Sequence, residues 1–363
     1  MDHQQQKLRV GLVGCGYWGS KHLRVFNELA ESSLIALCEP SPDKVAAQPR
    51  AFLPPLVTGE YDRFLAAPTD AVVIATPART HYGLAKRALE HGKHVLIEKP
   101  FTTSADEAQA LIHEADRRGL TLAVGHTYVY HPAVEFLKTY IQSGQLGKVQ
   151  YIHTSRLNFG LLQPDVDVVW DLAPHDISIL LYVLQQEPLF AGARGTACFN
   201  TKACEVAHID LEFPDGPTAH IYVSWLEPRK VRRLTFVGDE KTIVYDDVAQ
   251  GETLRIFDQS IKMVPTNGAN SPVTPHYLRG DATIPFVDSR EPLKTECLRF
   301  LECIRSGEPM RSSGRDGLQV VRVLEAAEKS LYNGGTAERI QMPFAVSRNE
   351  GVLTPAGHEG NGR

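Results

Sequence analysis

Two short segments, far apart in the chain, carry side chains suited to acid–base chemistry on a hydroxyl group. Glu98-Lys99-Pro100 follows an apolar run. Desolvating the Lys99 ammonium at the end of such a run costs free energy, so its presence there suggests a function. Asp171 and His175 are four residues apart, so one face of a helix can present both. We expect Asp171 to cap that helix and to raise the pKa of His175, a candidate general base, while Lys99 polarises the reacting oxygen. The alternative interpretations are an exposed Glu-Lys pair and an ordinary surface histidine beside a capping aspartate.

A glycine-rich segment near the start of the chain predicts a binding site for a dinucleotide. Gly14-Cys15-Gly16-Tyr17-Trp18-Gly19 has the spacing G-x-G-x-x-G, follows a predicted strand and opens a predicted helix. Gly14 permits the tight turn, Gly16 lets the backbone approach a pyrophosphate, and Gly19 lets the helix pack on the strand. The phosphates would lie at the positive end of the helix, near Tyr17 and Trp18. The alternative is a glycine turn that serves packing alone.

Glu39 indicates whether the bound dinucleotide is NAD or NADP. It ends the second predicted strand, where a carboxylate can accept hydrogen bonds from the ribose hydroxyls of NAD and would repel the 2′-phosphate of NADP. Residues 40–43 include no arginine to hold that phosphate, so we predict NAD rather than NADP. At the end of the next long strand, Thr76-Pro77 and the following His81 are candidate neighbours of the cofactor. For His81, a structural position at the start of a helix is the alternative.

The elements that must position these side chains alternate between strand and helix in the first third of the chain. Continuous apolar runs of four to six residues are typical of strands buried on both faces of a parallel sheet, and amphipathic stretches between them predict helices. The predicted strands are Leu8–Val13, Leu34–Cys38, Ala71–Thr76, His94–Ile97 and Leu120–Val124, and the predicted helices are 20–30, 79–91 and 104–118. This alternation predicts an α/β domain with right-handed crossovers and a parallel sheet, which we place at residues 1–125.

After this region the pattern predicts a second, α+β domain, which we place at residues 126–346. Its runs show partial alternation of apolar and polar residues, which is typical of a largely antiparallel sheet. The predicted strands are Val149–Asn158, Val206–Phe213, Ala219–Trp225, Val231–Val237 and Thr242–Tyr245, and the predicted helices are 131–143, Leu293–Arg305 and Leu318–Tyr332. Pro214-Asp215-Gly216-Pro217 predicts a hairpin turn, and the composition of residues 347–363 indicates a flexible tail.

Composition limits the classes of function. The 363 residues are 43% hydrophobic and 22% charged, which is typical of a globular protein, and the net charge is −5. Without a basic excess we expect no nucleic-acid partner, and without a long apolar run we expect no membrane span. The six cysteines form no C-x-x-C pair and do not cluster with histidines, so we predict reduced thiols and no metal site. Because no apolar stretch follows the first residues, we expect no signal peptide and a cytoplasmic location.

The combination of motifs resembles the glucose-fructose oxidoreductase, inositol dehydrogenase and MocA (Gfo/Idh/MocA) family over about residues 7–340. The resemblance rests on the glycine motif, Thr76-Pro77 with His81, Glu98-Lys99-Pro100 and Asp171-x-x-x-His175. It implies a Rossmann domain followed by an open-faced mixed sheet. One face of that sheet would line the substrate cleft, and the other would join copies of the chain into a dimer or tetramer. The resemblance also implies that Lys99 and His175 are catalytic and that Asp171 binds or orients the substrate.

Further site residues are expected from the same resemblance. The expected neighbours of the cofactor are Glu98, Lys99 and Trp170, and those of the substrate are Tyr128, Arg156 and Asn158. Many family members have an arginine-containing segment after the sixth strand, where this chain has His126-Thr127-Tyr128-Val129-Tyr130, so contacts there do not carry over directly. Tyr128 and Tyr130 either contact a sugar or base, or pack in the core.

The segment Trp170–Asp176 looks most similar to family members that oxidise a ring hydroxyl, often at C3, of nucleotide-activated or aminoglycoside-type sugars. We therefore predict an NAD-dependent dehydrogenase that transfers a hydride from a secondary carbinol carbon of a sugar or nucleotide-sugar to nicotinamide. Two alternatives stay open. One is a keto-sugar reductase that uses NADH or NADPH, and the other is a non-catalytic regulator that binds a dinucleotide and a protein partner.

Overall fold

A computed structural model of the chain describes residues 6–160, 162–163, 166–199, 203–214, 216–266 and 273–341. The helices are α1 (Tyr17–Glu28), α2 (Pro42–Ala46), α3 (Tyr61–Leu65), α4 (His81–Glu90), α5 (Ala105–Arg118), α6 (Pro132–Gln142), α7 (Val168–Leu184), α8 (Pro292–Ser306) and α9 (Gly314–Tyr332). Short 3₁₀ helices lie at Arg50–Phe52, Ala78–Thr80 and Thr127–Tyr130. The predicted tail at 347–363 lies outside the described residues, as does Asp215 of the predicted turn.

The strands form two sheets. They are β1 (Leu8–Val13), β2 (Ser32–Cys38), β3 (Leu56–Thr58), β4 (Ala71–Ile74), β5 (His94–Glu98), β6 (Leu122–Gly125), β7 (Val149–Phe159), β8 (Phe190–Thr196), β9 (Val206–Glu212), β10 (Thr218–Ser224), β11 (Leu226–Gly238), β12 (Thr242–Asp246), β13 (Leu254–Pro265), β14 (Val273–Thr283) and β15 (Glu338–Arg339). The first six make one sheet and the other nine make the second.

The first sheet is parallel, in the order β3-β2-β1-β4-β5-β6, which confirms the predicted Rossmann-type α/β domain. Every residue of β4 and β6 is buried, because both faces of the sheet are covered, and this explains their continuous apolar runs. The strand order changes direction between β1 and β4, and at such a point a crevice opens at the carboxyl ends of the strands. Gly14 follows β1, Thr76 lies just beyond β4 and Lys99 follows β5, so this edge collects three of the predicted site residues.

The second sheet is mixed and open on one face, as predicted. Its order is β14-β13-β12-β11-β7-β10-β9-β8-β15, and within it only β7 and β10 run parallel among the pairings described. Helices α7 and α9 pack against one face. In β9, buried Ala207, Ile209 and Leu211 alternate with exposed His208 and Asp210, which is the pattern of a half-buried strand. Sequence reasoning missed β14 because all of its residues are exposed and no alternation marks it.

Helix α7 begins one turn earlier than predicted. The side chain of Asp167 caps it, accepting a hydrogen bond from the backbone N–H of Trp170 at 3.0 Å. The expectation that Asp171 is the cap was therefore wrong, and Asp171 lies in the first turn. Pro174 is inside the helix rather than in its first turn, and it cannot donate to the carbonyl group of Trp170.

Helix α8 returns to the first sheet. Its Leu293, Cys297 and Phe300 share a core with Leu23 and Phe26 of α1. The main core cluster includes residues of both sheets, for example Val72 of β4 and Ile152 of β7, so packing connects the sheets. The domain boundary after residue 125 remains a prediction. Within the described ranges, no helix has both the length and the apolar content that a membrane span requires.

Candidate active site

A cavity of about 1060 Å³ opens at the carboxyl edge of the first sheet and includes the glycine turn in its wall. Gly14 has φ +89°, and a Cβ there would overlap the carbonyl oxygen of Ala75. A Cβ at Gly19 would overlap the carbonyl oxygen of Gly14, whereas a Cβ at Gly16 would meet nothing within 4 Å. Two glycines are thus required for backbone packing. Gly16 leaves open space at the N-terminus of α1, where backbone N–H groups can hold an anionic phosphate.

Glu39 lies at the adenosine end expected for a dinucleotide in this cavity. Its two carboxylate oxygens accept hydrogen bonds from the backbone N–H groups of Cys15 and Ser41, each at 3.0 Å. The carboxylate is therefore held in place at the end of β2, where it can pair with ribose hydroxyls and oppose a 2′-phosphate. The cavity is lined also by the other predicted cofactor residues Tyr17, Trp18, Thr76, Pro77, Glu98 and Lys99. These residues fit a dinucleotide.

Two residues predicted to contact the cofactor lie elsewhere. His81 is buried, and its Nδ1 and Nε2 atoms each lie 2.8 Å from a backbone carbonyl oxygen, of Pro100 and Thr76 respectively. It joins the chain segments that follow β4 and β5. Trp170 is 5% exposed and belongs to the main core. Neither side chain is part of the cavity wall formed by the described residues, so both expectations are corrected.

A second cavity of about 800 Å³ adjoins the first on the side of the second sheet. Lys99, Asn158 and Asp171 line both cavities, so the two form one cleft with a shared boundary. We call the first part the dinucleotide compartment and the second part the substrate compartment. The elements that meet at the boundary are the end of β5, the end of β7 and the first turn of α7.

Lys99 and Asp171 form an ion pair at this boundary. Lys99 Nζ donates to Asp171 Oδ1 at 2.9 Å and to the backbone carbonyl of Asp171 at 2.7 Å. The other carboxylate oxygen of Asp171 accepts from Trp225 Nε1 at 3.0 Å. The ammonium is thus held in one direction by a carboxylate that is itself fixed. Sequence reasoning missed Trp225, because it lies just after β10 and no local motif connects it to Asp171.

His175 lines the substrate compartment one helical turn after Asp171. Burial lowers the pKa of His175 well below its ordinary value, and the positive charges of Lys99, Arg156 and Arg232 lower this pKa further. The expected increase in the pKa was therefore wrong. Its physical premise fails because the Asp171 carboxylate binds Lys99 and Trp225, and no hydrogen bond joins it to His175 in the described structure. A neutral imidazole results, which can accept a proton.

Tyr128 and Arg156 lie beside His175. The rings of Tyr128 and His175 meet edge to face at a centroid distance of 5.0 Å, and the guanidinium of Arg156 lies 4.5 Å from the centroid of the Tyr128 ring. Arg156 is buried and donates to Asp176 Oδ1 from Nε and Nη2, at 3.1 and 2.8 Å. Both predicted residues line the substrate compartment. Tyr130 is instead in the core, where its hydroxyl group lies 3.0 Å from Ser312 Oγ.

The substrate compartment has an excess of positive charge that sequence reasoning missed. Six basic side chains line it in the described part of the chain, against three carboxylates: Lys21, Arg24, Lys99, Arg156, Lys230 and Arg232, against Asp171, Asp247 and Glu291. Four of the basic groups have carboxylate partners, whereas Lys21 and Lys230 make no ion pair with any described residue. They come from α1 and β11, so only the tertiary structure brings them together.

Behind the boundary lies a buried polar network. Glu98 Oε1 pairs with His22 Nε2 at 2.8 Å, and Glu296 accepts a hydrogen bond from Thr127 Oγ1 at 2.8 Å. Burial raises the pKa of Glu296 well above its ordinary value, and the nearby charge of Glu98 raises it further. Both effects favour the neutral form of the Glu296 carboxyl group. No group of three or more His, Cys, Asp or Glu side chains in the described ranges is arranged to hold a metal ion.

Comparisons with known proteins agree with this geometry. Residues 8–126 match a model described as an oxidoreductase family with an NAD-binding Rossmann fold, and residues 134–244 match the Gfo/Idh/MocA C-terminal domain. The chain is 32% identical over 324 residues to UDP-N-acetylglucosamine 3-dehydrogenase of Acidithiobacillus ferrooxidans, covering 88% of this chain and 95% of that protein. It is 24% identical to an NAD-dependent scyllo-inositol 2-dehydrogenase of Bacillus subtilis, covering 92% and 96%.

Solved structures show the same fold. The UDP-N-acetylglucosamine 3-dehydrogenase of Acidithiobacillus ferrooxidans superimposes with a TM-score of 0.74 and 26% identity, covering 91% of this chain and 99% of that one. An oxidoreductase of Magnetospirillum magnetotacticum superimposes with a TM-score of 0.75 and 29% identity, covering 89% and 100%. Each of these structural similarities extends over the two sheets.

Proposed function

The chain belongs to the Gfo/Idh/MocA family of NAD-binding oxidoreductases, and from this premise we propose that it oxidises a secondary ring hydroxyl, at C3, of a nucleotide-activated sugar. One observation carries the proposal: Lys99 and Asp171 stand where a compartment suited to a dinucleotide meets a compartment rich in positive charge. A neutral sugar needs no such charge, whereas a nucleoside diphosphate brings two phosphates that Lys21 and Lys230 can hold.

Different residues of the chain have different roles in the proposed oxidation. Bound NAD supplies the nicotinamide that accepts a hydride. His175 accepts the proton of the substrate hydroxyl group on Nε2, since the ring is kept neutral by burial and Nδ1 is enclosed. The Lys99 ammonium, aimed by Asp171, donates a hydrogen bond to the same oxygen and stabilises the negative charge that develops there. Glu39 selects NAD over NADP by its fixed negative charge.

A substrate panel tests the proposal. NADH absorbance is followed with UDP-N-acetylglucosamine, other UDP-sugars, free amino sugars and inositols. We expect turnover with a UDP-sugar and NAD, and a loss of at least about a hundredfold in Lys99→Ala with the fold intact. Lys230→Ala should raise KM for the UDP-sugar about tenfold and leave KM for NAD unchanged, because one charged contact to phosphate is lost. Lys148→Ala, an exposed change outside both compartments, is the matched control.

The panel also separates the alternatives. Turnover of free sugars alone, with no effect of Lys230→Ala, would contradict a nucleotide-activated substrate. Reduction of keto-sugars with no oxidation under any condition would favour a reductase. Tight NAD binding without turnover on the whole panel would favour a non-catalytic regulator.

We further propose that copies of the chain associate through the open face of the second sheet. Aromatic and imidazole rings lie on this face. The ring centroids of Tyr151 and His220 are 5.3 Å apart, and those of the stacked His208 and Tyr222 rings are 4.4 Å apart. A half-exposed aromatic surface is typical of an interface. Light scattering should show a dimer or tetramer, and a monomer at micromolar concentration would contradict the proposal.

A cytoplasmic location is proposed from the thiols. All six cysteines are free, and five of them are buried. Free thiols persist in a reducing compartment, which supports this location.

A further inference from the structure

Two arginines face each other across neighbouring strands of the second sheet. Arg156 of β7 and Arg232 of β11 are direct partners in the antiparallel register. Like charges placed directly opposite one another on a sheet repel, so this arrangement costs free energy unless other groups offset it. Both side chains line the substrate compartment, and neither takes part in the proposed oxidation. The groups that compensate this pair therefore indicate what it does.

A separate carboxylate holds each arginine. Arg156 is buried and donates from Nε and Nη2 to Asp176 Oδ1, on a residue that is itself fully buried. Arg232 donates from Nη1 to Asp247 Oδ2 at 3.1 Å, and the other oxygen of Asp247 accepts from the hydroxyl group of Tyr245 at 3.0 Å. The two carboxylates offset the repulsion between the arginines and fix where each guanidinium lies.

The ring of Tyr128 lies against both guanidinium groups. The central carbon atoms of the Arg156 and Arg232 guanidiniums are 4.5 and 5.6 Å from the centroid of this ring. A cation within about 6 Å of an aromatic centroid is attracted to the ring, and the attraction is stronger where water is excluded. Tyr128 belongs to the 3₁₀ helix at 127–130, so three segments distant in sequence meet here. We call Arg156 and Arg232 the arginine clamp.

The same ring contacts the candidate base. The rings of Tyr128 and His175 meet edge to face, with centroids 5.0 Å apart and planes at 77°. Aromatic rings favour this geometry over a face-to-face stack. His175 Nδ1 is buried and has no hydrogen-bond partner in the part of the chain that the structure describes. The orientation of the imidazole therefore depends on packing, and Tyr128 supplies a fixed surface for it.

We propose that Tyr128 is a positioning residue for His175 and that the arginine clamp holds it against the imidazole, an inference that rests on the proposed dehydrogenase function. The clamp fixes the Tyr128 ring, the ring fixes the imidazole, and Nε2 of His175 is presented to the substrate hydroxyl group. A general base must lie within hydrogen-bond reach of the proton that it accepts, so a displaced imidazole lowers the rate. The positive charges of the clamp also lower the pKa of His175, which favours the neutral base.

Steady-state kinetics with UDP-N-acetylglucosamine as the probe substrate separate positioning from direct contact with the substrate. Positioning acts through the Tyr128 ring and changes kcat, whereas a substrate contact through the hydroxyl group changes KM. We expect Tyr128→Phe, which keeps the ring, to retain kcat. Tyr128→Leu should lower kcat about tenfold or more and leave KM for NAD unchanged. An equal rise in KM for the probe in both variants, with kcat unchanged, would overturn the proposal.

Arg232→Met tests the clamp and serves also if Tyr128→Leu fails to fold. It should lower kcat about threefold or more in the unmodified protein. In a Tyr128→Leu background it should have no further effect, because residues that act through one another are not additive. The assay is run at about pH 8, above the ordinary pKa of histidine, so that protonation of His175 contributes little. Arg233→Met, exposed on the opposite face of β11, is the matched control. Additive losses in the double variant would overturn the clamp.

Histidine NMR of the NAD-free protein gives a readout that needs no turnover. With ¹³C at the imidazole Cε1 position, the signal of His175 is assigned by its loss in His175→Asn. An aromatic ring in contact shifts the signals of its neighbour, so this signal should keep its position in Tyr128→Phe and move in Tyr128→Leu. A signal that stays in place in Tyr128→Leu would overturn the proposal. Absence of turnover in the unmodified protein, with the signal moving as expected, would instead count against the proposed function.

Discussion

At the scale of residues, the carboxylate of Asp171 organises the candidate active site. One of its oxygens accepts from Lys99 and the other from Trp225, so the carboxylate aims the ammonium and leaves His175 without a negative neighbour. This division explains how a cation and a neutral base coexist within one helical turn. A carboxylate paired to His175 instead would raise its pKa and leave Lys99 free to rotate.

Trp225→Phe tests this arrangement. The change keeps most of the buried aromatic volume and removes the N–H that holds Asp171. A hydrogen bond to a charged group contributes about 1.5–3 kcal/mol, so kcat should fall about tenfold or more while KM for NAD stays unchanged. Steady-state kinetics measure both. Trp170→Phe removes an indole from the core without touching the cleft, and an equal loss of kcat in both variants would contradict the positioning role.

The acid side of the pH profile tests the state of His175. Because its pKa is lowered, the ring stays neutral below the ordinary histidine pKa of about 6.5 and still accepts a proton. Activity should therefore be lost only as the pH falls through this lowered pKa. The measurement is kcat/KM as a function of pH, with thermal melts to show that the fold persists. A loss of activity centred near or above pH ~6.5 would mean that His175 is not the base.

At the scale of elements, each half of the cleft depends on how a helix begins. Helix α1 starts at the open space beside Gly16, which suits a phosphate, and it approaches β1 closely only because Gly19 has no side chain. Helix α7 starts at the cap Asp167, which places Asp171 and His175 on one face with the first at the boundary of both compartments. The start of α7 thus positions Asp171 and His175, whereas Lys99 lies just after the end of β5.

Gly19→Ala tests the contact between α1 and β1. The added Cβ would overlap the backbone of Gly14, so the helix must move away and the phosphate site must open. We expect the Kd for NAD, measured by calorimetry, to rise about tenfold or more, with secondary structure retained. Gly83→Ala in α4, where a Cβ meets nothing within 4 Å, should leave the Kd unchanged and stabilise the protein by about 0.5–1 kcal/mol. An unchanged Kd in Gly19→Ala would contradict the close approach.

At the scale of the whole molecule, a network of buried polar side chains connects the last third of the chain to the first sheet. Helix α8 comes back from the second half of the chain and places Glu296 near Glu98 of the first sheet. Burial raises the pKa of this carboxyl group, because the charged form is costly to desolvate. We therefore expect the stability of the molecule to depend on pH through Glu296.

Glu296→Gln tests the coupling. The pKa of Glu296 is raised in the folded protein, so the folded state keeps a proton that the unfolded state loses above pH ~4.5. The stability that this group contributes is present below that pH and is lost as the pH rises toward the folded pKa. The Gln variant lacks this loss, so its advantage in free energy of unfolding, measured by urea unfolding, should grow as the pH rises above ~4.5. Glu302→Gln, on the partly exposed side of α8, should show no such trend. A constant difference for Glu296→Gln would contradict the raised pKa of Glu296.

Local sequence patterns were sufficient to predict much of the fold and of the candidate site. Buried parallel strands are apolar along their whole length, and the glycine turn must follow β1, so the sheet, the dinucleotide site and the family could be predicted from residues close together in sequence. Lys99 and His175 were predicted to be catalytic in the same way, from short motifs. The tertiary structure alone decided the partner of Asp171, the positive wall formed by α1 and β11, and the burial of His81, Trp170 and Glu296. These features depend on contacts between segments many residues apart and on the removal of water around charges, and neither leaves a spacing in the sequence that could reveal it.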